Sequence, residues 1–271
     1  MAIITISREV GSEGKEIGQS VAESLDYEYI DRSQILNDMK AVDKHWEELG
    51  EELDEHSPSV WERYDWSFRG FVALTQSIIL NYGLRDRLVL MGRGGNFLFK
   101  DVPYALRIRI SMPKEARIER VMKEEDLGRD TACWLIKKVD KEMAKAVYLI
   151  YGKDWEDPAE YDMRFDLGVK TKEEVIEMII KASVEKDTLN TEQARKALRM
   201  RAIAAKVKAG IATNPSFLIP TLDVEVAAES IVVNGIVHNL KEHKKVEEKA
   251  KELAGDIPVK CKLHYRGLLY G

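Results

Sequence analysis

Cysteine is scarce in this chain of 271 residues: Cys133 and Cys261 are the only two, and they form no C-x-x-C pair. That usage argues against a disulfide framework or a cysteine zinc site and fits a reducing compartment. Histidine is nearly as sparse. The 5 histidines form no cluster, and His238 and His243 do not share a helix face. No protein metal site is expected. Long apolar runs are missing too. No stretch approaches the roughly 18 residues of a membrane span; even "FVALTQSIIL" is broken by Thr75, Gln76 and Ser77. The opening Met-Ala-Ile-Ile-Thr has no basic n-region and no h-region. A secretory leader is not expected, and the expected location is the cytoplasm. Internal repeats and low-complexity segments are absent.

What is present supports a folded, charged-surface protein, with 45% hydrophobic and 33% charged residues and a net charge of −5. The charge is unevenly spread. Residues 190–271 hold 14 Lys+Arg and 9 Asp+Glu, a net of +5, which leaves a net of −10 for the rest. With the polar stretch "EKDTLNTEQ", this split sets an expected boundary between domains 1–187 and 188–271. The overall charge, and a basic excess with no interleaved aromatics, argue against nucleic-acid binding.

The segment "SREVGSEGKEIG", Ser7 to Gly18, follows the apolar run Ile3-Ile4-Thr5-Ile6 and precedes a helical stripe of Ile17, Val21 and Leu25. Glycines and a lysine at a strand-to-helix turn point to a phosphate-binding loop. Against the usual G-x-x-x-x-G-K-[ST], with Gly14-Lys15 as its G-K, the first glycine falls on Glu9 and the hydroxyl residue on Glu16. Further strands read at "YEYID", "RLVLMG", "LRIRISM" and "YDMRFDLG". Residues 33–85 and 130–150 and "KEEVIEMIIKASVE" read as helical. Alternating strands and helices imply an α/β fold with a parallel sheet and helices on both faces. Several strands lead into polar residues: the glycine loop, Asp31-Arg32, and Gly92-Arg93-Gly94-Gly95. A helix with Arg117 and Arg120 follows the fourth. Ligands of open α/β sheets bind outside the carboxyl ends of the strands, where arginines clamp phosphates.

The motifs "ITISREVGSEGKEIG", "YIDRSQI", "VLMGRGGNFLF" and "RIERVMKEEDL…KKVDKEMA…YGKDW" resemble the cytidylate kinase-like family of P-loop nucleoside monophosphate kinases over roughly residues 1–180. The resemblance implies a three-layer P-loop fold and phosphoryl transfer from ATP, with Mg²⁺ held mainly through the nucleotide, to a monophosphate such as CMP. By phosphoryl-transfer physics, which asks for positioning and cationic stabilisation, Gly11, Ser12, Glu13, Gly14, Lys15 and Glu16 would cradle the donor phosphates. Lys15 would reach the β- and γ-phosphates, and Arg93 would hold the acceptor phosphate. Arg117 and Arg120 would lie at the base of a lid carrying Lys137, Lys138 and Lys141. Asp31 and Arg32 would help bind the acceptor or order the loop. Lys15, Arg93 and Arg120 are the expected catalytic residues. Departures from the family pattern stand beside this: Glu13 in place of a frequent glycine, Glu16 in place of a hydroxyl, and Met143 in place of a lid arginine. They keep open a nucleotide-binding sensor or adaptor with a degenerate site.

The C-terminal part reads α-β-β-α-β, a small α+β domain. Ala197, Met200, Ala204, Val207 and Ile211 stripe a helix, "TLDVEVA" and "SIVVNGIV" are strands, Val246, Ala250 and Leu253 stripe a helix, and "IPVKCKLHYRG" closes with a strand. Gly235 marks a bulge or a close backbone approach. The pattern "VEVAAESIVVNGIV…VEEKAKELAGDIPVKCKL" resembles a BON domain, which implies a phospholipid- or ligand-binding module. Lys241, Lys244, Lys245, Lys249 and Lys251 do not share one face. Membrane association is therefore expected to be weak at most, with an interdomain or homo-oligomer contact preferred.

Overall fold

The computed structural model describes residues 1–55 and 65–265. The first part of the chain runs β1 (Ile3–Arg8), α1 (Gly14–Leu25), β2 (Glu28–Ile30), α2 (Arg32–Val42), α3 (Lys44–Glu55), α4 (Trp66–Gly83), β3 (Leu88–Met91), α5 (Gly95–Leu98), β4 (Ala105–Ser111), α6 (Lys114–Glu124), α7 (Arg129–Tyr151), β5 (Met163–Asp166) and α8 (Lys172–Asp187). It continues with α9 (Glu192–Ala212), β6 (Asp223–Ala227), β7 (Ser230–Val237), α10 (Leu240–Ala254) and β8 (Val259–Tyr265). Trp61, read within the helical region, lies outside the described residues.

Within the described residues, β1 to β5 form one parallel sheet in the order β2-β3-β1-β4-β5. Strand β1 is central because Ile3, Ile4, Thr5 and Ile6 are all buried; such β-branched runs suit a strand covered on both faces. One face of the sheet, with Ile4, Ile6 and Ile108, meets Ile17 and Val21 of α1 and Val175 and Ile179 of α8. The opposite face receives α5, where a Cβ on Gly95 would stand 2.3 Å from Leu90 Cδ2 and 3.2 Å from Thr5 Cγ2. The fold is thus α/β, a parallel sheet flanked by helices. Register aligns Ile6 with Met91 and with Ile108, so the loops leaving β1, β3 and β4 open at the same end of the sheet.

Packing gathers the chain into two compact units, Met1–Ile35 with Arg85–Ala194, and Leu36–Leu84 with Arg195–Gly271. The second unit joins α3 and α4 to a smaller α+β assembly. Its sheet, in the order β6-β7-β8, pairs β6 with β7 antiparallel and β7 with β8 parallel. Val207 and Ile211 of α9, Ile231 and Val233 of β7, and Val246 and Ala250 of α10 form its core. The grouping is discontinuous in sequence because α4 is pressed close at Gly70. A Cβ there would lie 2.6 Å from Trp46 Cη2 and 3.3 Å from the Ala212 carbonyl oxygen.

Two local expectations are corrected or resolved. Ala197 is exposed, whereas Met200, Ala204, Val207 and Ile211 of the same stripe are buried with Ala194 and Leu198. A single methyl contributes too little apolar area to decide a helix face. Gly235 forms no bulge, since the pairing runs unbroken through Asn234↔Lys262 and Gly235↔Leu263. It serves a close approach: a Cβ would stand 2.8 Å from Ile219 Cγ2. Among the described residues no helix is long and apolar enough to cross a membrane.

Candidate functional site

The turn from β1 to α1 closes on itself. The Ser12 N–H and hydroxyl both donate to the Glu9 carbonyl, at 3.3 and 2.7 Å. Gly11, at φ +75°, lies against α6, where a Cβ would meet the Arg117 carbonyl oxygen and Val121 Cγ2 at 3.1 Å each. Gly14 lies on β1, with Arg8 Cβ only 2.5 Å from where its own Cβ would be. Glu13 is the N-cap of α1 at φ 56°, a left-handed conformation, and no side chain caps this helix among the described residues. A helix start leaves N–H groups without intrahelical partners and carries the positive end of the helix dipole. Left uncapped behind a glycine turn, those donors are available to an anion.

Lys15 is exposed in the first turn of α1. Its charge reaches Asp31, just after β2, whose carboxylate accepts from the Ser33 N–H at 2.9 Å and the Ser33 hydroxyl at 2.5 Å. Burial alone would raise the Asp31 pKa, but hydrogen bonds from Ser33 and Gln34, helped by Lys15, hold it below the ordinary value. Asp31 therefore stays ionised and orders the start of α2, where Arg32 is exposed.

After β3, Gly92, Arg93 and Gly94 are consecutive left-handed residues at φ 71°, 54° and 72°. The turn is locked from α7. Tyr151 donates its hydroxyl hydrogen to the Arg93 carbonyl at 2.9 Å and stacks on Phe97 with ring centroids 5.0 Å apart. Arg93 and Arg8 both line a cavity of about 20 Å³ with Ser7, Asn96 and Met143. Burial, reinforced by the charge of Arg93, depresses the Arg8 pKa, against the pull of Tyr29 and Asp31. Asn96 Nδ2 is buried there with no hydrogen-bond partner among the described residues, as is Arg109 Nη1 on the neighbouring strand β4. The Arg109 guanidinium lies 4.1 Å above the Trp155 ring, and the Trp155 indole N–H donates to the Ser7 hydroxyl at 2.8 Å. Arg109 Nη2 lies 3.5 Å from Glu9, so its Nη1 and Asn96 Nδ2 are the unpartnered donors among the described residues, and beside Arg8 and Arg93 such donors fit an anionic ligand better than an apolar one.

The expected arginines of α6 are held differently. Arg117 is buried; its Nε donates to the Val10 carbonyl at 2.7 Å, its Nη2 to Asp140 at 2.7 and 2.9 Å, and its Nη1 lies 3.5 Å from Glu9. This guanidinium ties the glycine loop to α7. Arg120 Nη1 pairs with Glu13 at 3.0 Å, and its Nη2 with Glu124 at 2.6 Å and with Glu16. Burial works to lower its pKa, but Glu16, Glu124 and Glu13 together raise it.

Lys137, Lys138 and Lys141 are exposed on α7, and Lys138 sits 5.2 Å from the Trp134 ring centre. The inward side of α7 is instead Ile136, Asp140, Met143 and Val147, of which Asp140 holds Arg117 and Met143 and Val147 line the small cavity. The structure thus gathers Gly11 to Glu16 with Arg117 and Arg120 around the loop. Lys137 and Lys141 lie on another face of their helix. No group of three His, Cys, Asp or Glu residues that could hold a metal ion occurs among the described residues. Arg8, Asn96, Arg109 and Trp155 also stand here, and no role is expected for them from the sequence. Their signals were present: an arginine beside the loop, charged residues alternating in a buried strand, and the aromatic of "YGKDW".

A glycine turn closing an uncapped helix start, at the carboxyl end of a parallel sheet with strand order β2-β3-β1-β4-β5, defines a P-loop kinase-like protein. The match of the cytidylate kinase-like family model to residues 3–168 agrees, and the chain belongs to that family. The match ends before α8, so the C-terminal α+β part lies outside it. Among solved structures, an uncharacterized protein from Eubacterium ventriosum is 21% identical at a TM-score of 0.54, covering 68% of this chain and 98% of its own. A shikimate kinase from Acinetobacter baumannii, solved with shikimate, is 14% identical at a TM-score of 0.39, covering 68% and 94%. A shikimate kinase from Aquifex aeolicus is 16% identical at a TM-score of 0.35, covering 69% and 99%. A comparison with curated proteins gives no match.

Proposed function

We propose that this protein transfers the γ-phosphoryl group of ATP to the phosphate of a nucleoside monophosphate of CMP type, releasing ADP and the nucleoside diphosphate. The observation that carries the reading is the uncapped N-terminus of α1 behind the Glu9–Glu13 turn, with Lys15 in its first turn. The N–H groups of that turn would hold the donor phosphates, and Lys15 would neutralise charge growing on the β- and γ-oxygens. Arg93, with Arg8 beside it, would hold the acceptor phosphate in line. The cavity they line has room for about one water, so these side chains and Met143 must part to admit a phosphate. Mg²⁺ would arrive on the nucleotide and neutralise phosphate charge. Such an ion usually keeps waters and needs few protein ligands, which suits a loop with Glu16 in place of a hydroxyl.

A second reading is a nucleotide-binding sensor or adaptor. Its support is that Arg117 and Arg120, cations expected at the phosphates, are already engaged by carboxylates. One experiment separates the two: ADP release measured over CMP, AMP, UMP and dTMP, with calorimetric ATP binding in parallel. Turnover that falls at least a hundredfold in Lys15→Ala supports the kinase. ATP binding without turnover supports the sensor, and neither binding nor turnover overturns both.

For the C-terminal part we propose a BON-like interaction module. The α9-β6-β7-α10-β8 order and the +5 charge of residues 190–271 support it. Two lysines of α10 are ion-paired within the helix, Lys249 to Glu252 and Lys251 to Glu247. That pairing weakens the attraction of this helix to any anionic surface, a membrane included. Vesicles of anionic lipid should sediment the full chain weakly, and only at low salt.

A further inference from the structure

Away from the phosphate-binding loop, the unit formed by Leu36–Leu84 and Arg195–Gly271 holds a cavity of about 100 Å³. Its wall is largely apolar, with Trp66 and Ala73 from α4, Ile211 from α9, and Phe217, Ile219 and Leu222 from the segment before β6. Protein interiors are packed to crystal density, with few voids larger than a water molecule. An apolar cavity of about 150 Å³ accepts benzene, so this one suits a slightly smaller apolar group, or a ring that enters part of the way.

Two cations also line the wall, and they differ. Lys208 is paired with Asp223 at 2.9 Å. Arg69 of α4 is half-buried, and its guanidinium has neither a carboxylate nor a hydrogen-bond acceptor among the described residues. Burial alone accounts for its depressed pKa. A charge taken partly out of water without a partner is a cost to the fold. An apolar pocket with one such donor is the usual form of a site that fixes a small ligand by a single polar group. The planar guanidinium matches a carboxylate or a phosphate bidentately.

We propose that this cavity binds a small organic anion, a carboxylate or phosphate monoester on a compact apolar body, with its head on Arg69 and its body against Trp66 and Phe217. The ligand would bridge α4 to α9 and to the segment before β6. It would therefore stabilise this unit by mass action. The proposal does not rest on the kinase reading.

The test uses the full chain, titrated by calorimetry and by thermal unfolding with benzoate, phenyl phosphate and the neutral benzyl alcohol. The expected result is saturable 1:1 binding of benzoate or phenyl phosphate with a rise in Tm. Arg69→Gln should weaken that binding at least tenfold, Lys15→Ala should leave it unchanged, and benzyl alcohol should bind at least tenfold more weakly than the better anion. The tighter of the two anions identifies the head group. Ala73→Leu, which fills the cavity and keeps Arg69, should weaken binding as well, so the proposal stays exposed even if Arg69→Gln fails to fold. The site is overturned by unchanged affinity in Arg69→Gln or Ala73→Leu, by equal affinity for benzyl alcohol, by loss of binding in Lys15→Ala, or by no saturable binding of either anion at millimolar concentration.

Discussion

Glu13 holds a left-handed backbone position that a glycine would hold without strain, at a cost of about 1–2 kcal/mol. Its carboxylate points to Arg120, 3.0 Å away, and so is partly neutralised. Glu13→Gly relieves the backbone strain but loses a partly exposed ion pair worth at most about 1 kcal/mol and frees the chain in the unfolded state. Its net effect on stability is expected within about 1 kcal/mol of zero. ATP affinity, measured by calorimetry, is expected to rise several-fold, because a negative charge leaves the loop and Arg120 gains freedom. Arg93 is the second test at this scale. Arg93→Lys keeps the charge and loses the planar fork. Monophosphate affinity is expected to fall about tenfold, which is ~1.4 kcal/mol, with ATP affinity within about twofold of the parent. Equal losses for both nucleotides would remove Arg93 from the acceptor site.

Among the elements, the joint between the β3 turn and the end of α7 is the most tightly specified. A Cβ on Gly94 would fall 2.2 Å from the Tyr151 ring, and the residue sits at φ +72°. Burial pushes the Tyr151 phenol pKa up, so the hydroxyl stays protonated and keeps donating to the Arg93 carbonyl. Gly94→Ala must displace the ring, break that hydrogen bond and accept the left-handed strain. A loss of about 2–4 kcal/mol is expected by urea denaturation, together with weaker monophosphate binding, because the displaced element carries Arg93. A drop in stability with parental monophosphate affinity would show that the turn does not position Arg93.

For the molecule as a whole, one buried carboxylate sets a testable acid limb. Glu160 is 3% exposed and bonds Lys100 at 3.0 Å and Lys153 at 3.2 Å. Burial alone would raise its pKa, but the two lysines lower it below the ordinary 4.5. A depressed carboxylate pKa contributes stability that is fully present above the unfolded value and is lost as pH falls through the folded one. Glu160→Gln is expected to cost about 1–2 kcal/mol at neutral pH. It should also flatten the fall of stability below about pH 5, read from urea midpoints across pH. An acid limb as steep as the parent's would mean that other carboxylates govern it.

The order of strands and helices was legible in the sequence because periodicity is local. Ile3 to Ile6 announce a strand buried on both faces, and Ile17, Val21 and Leu25 announce the helix that follows. The turn at Gly11 to Lys15 was legible as a strand-to-helix turn for the same reason, since a strand, a glycine turn and a helix start are neighbours along the chain. The C-terminal helix-strand-strand-helix-strand order followed from its alternation and stripes. What depends on distant partners was not legible. In the sequence, Arg117 and Arg120 read as the base of a lid, Arg120 as catalytic, and Lys137 and Lys141 as cations carried on that lid. Tertiary packing buried Arg117 between Val10 and Asp140, tied Arg120 to Glu13, Glu16 and Glu124, and left the lysines on the exposed side of α7. It also brought Arg8 of β1, Arg93 and Asn96 of the β3–α5 segment, and Met143 of α7 to one cavity, and packed α3 and α4 with residues beyond Arg195. A charged side chain's role is set by which opposite charges, donors and apolar walls surround it. Residues more than 100 positions away in the chain supply those surroundings here, as the Met112 N–H does by donating to the Glu9 carboxylate, and no local pattern records them.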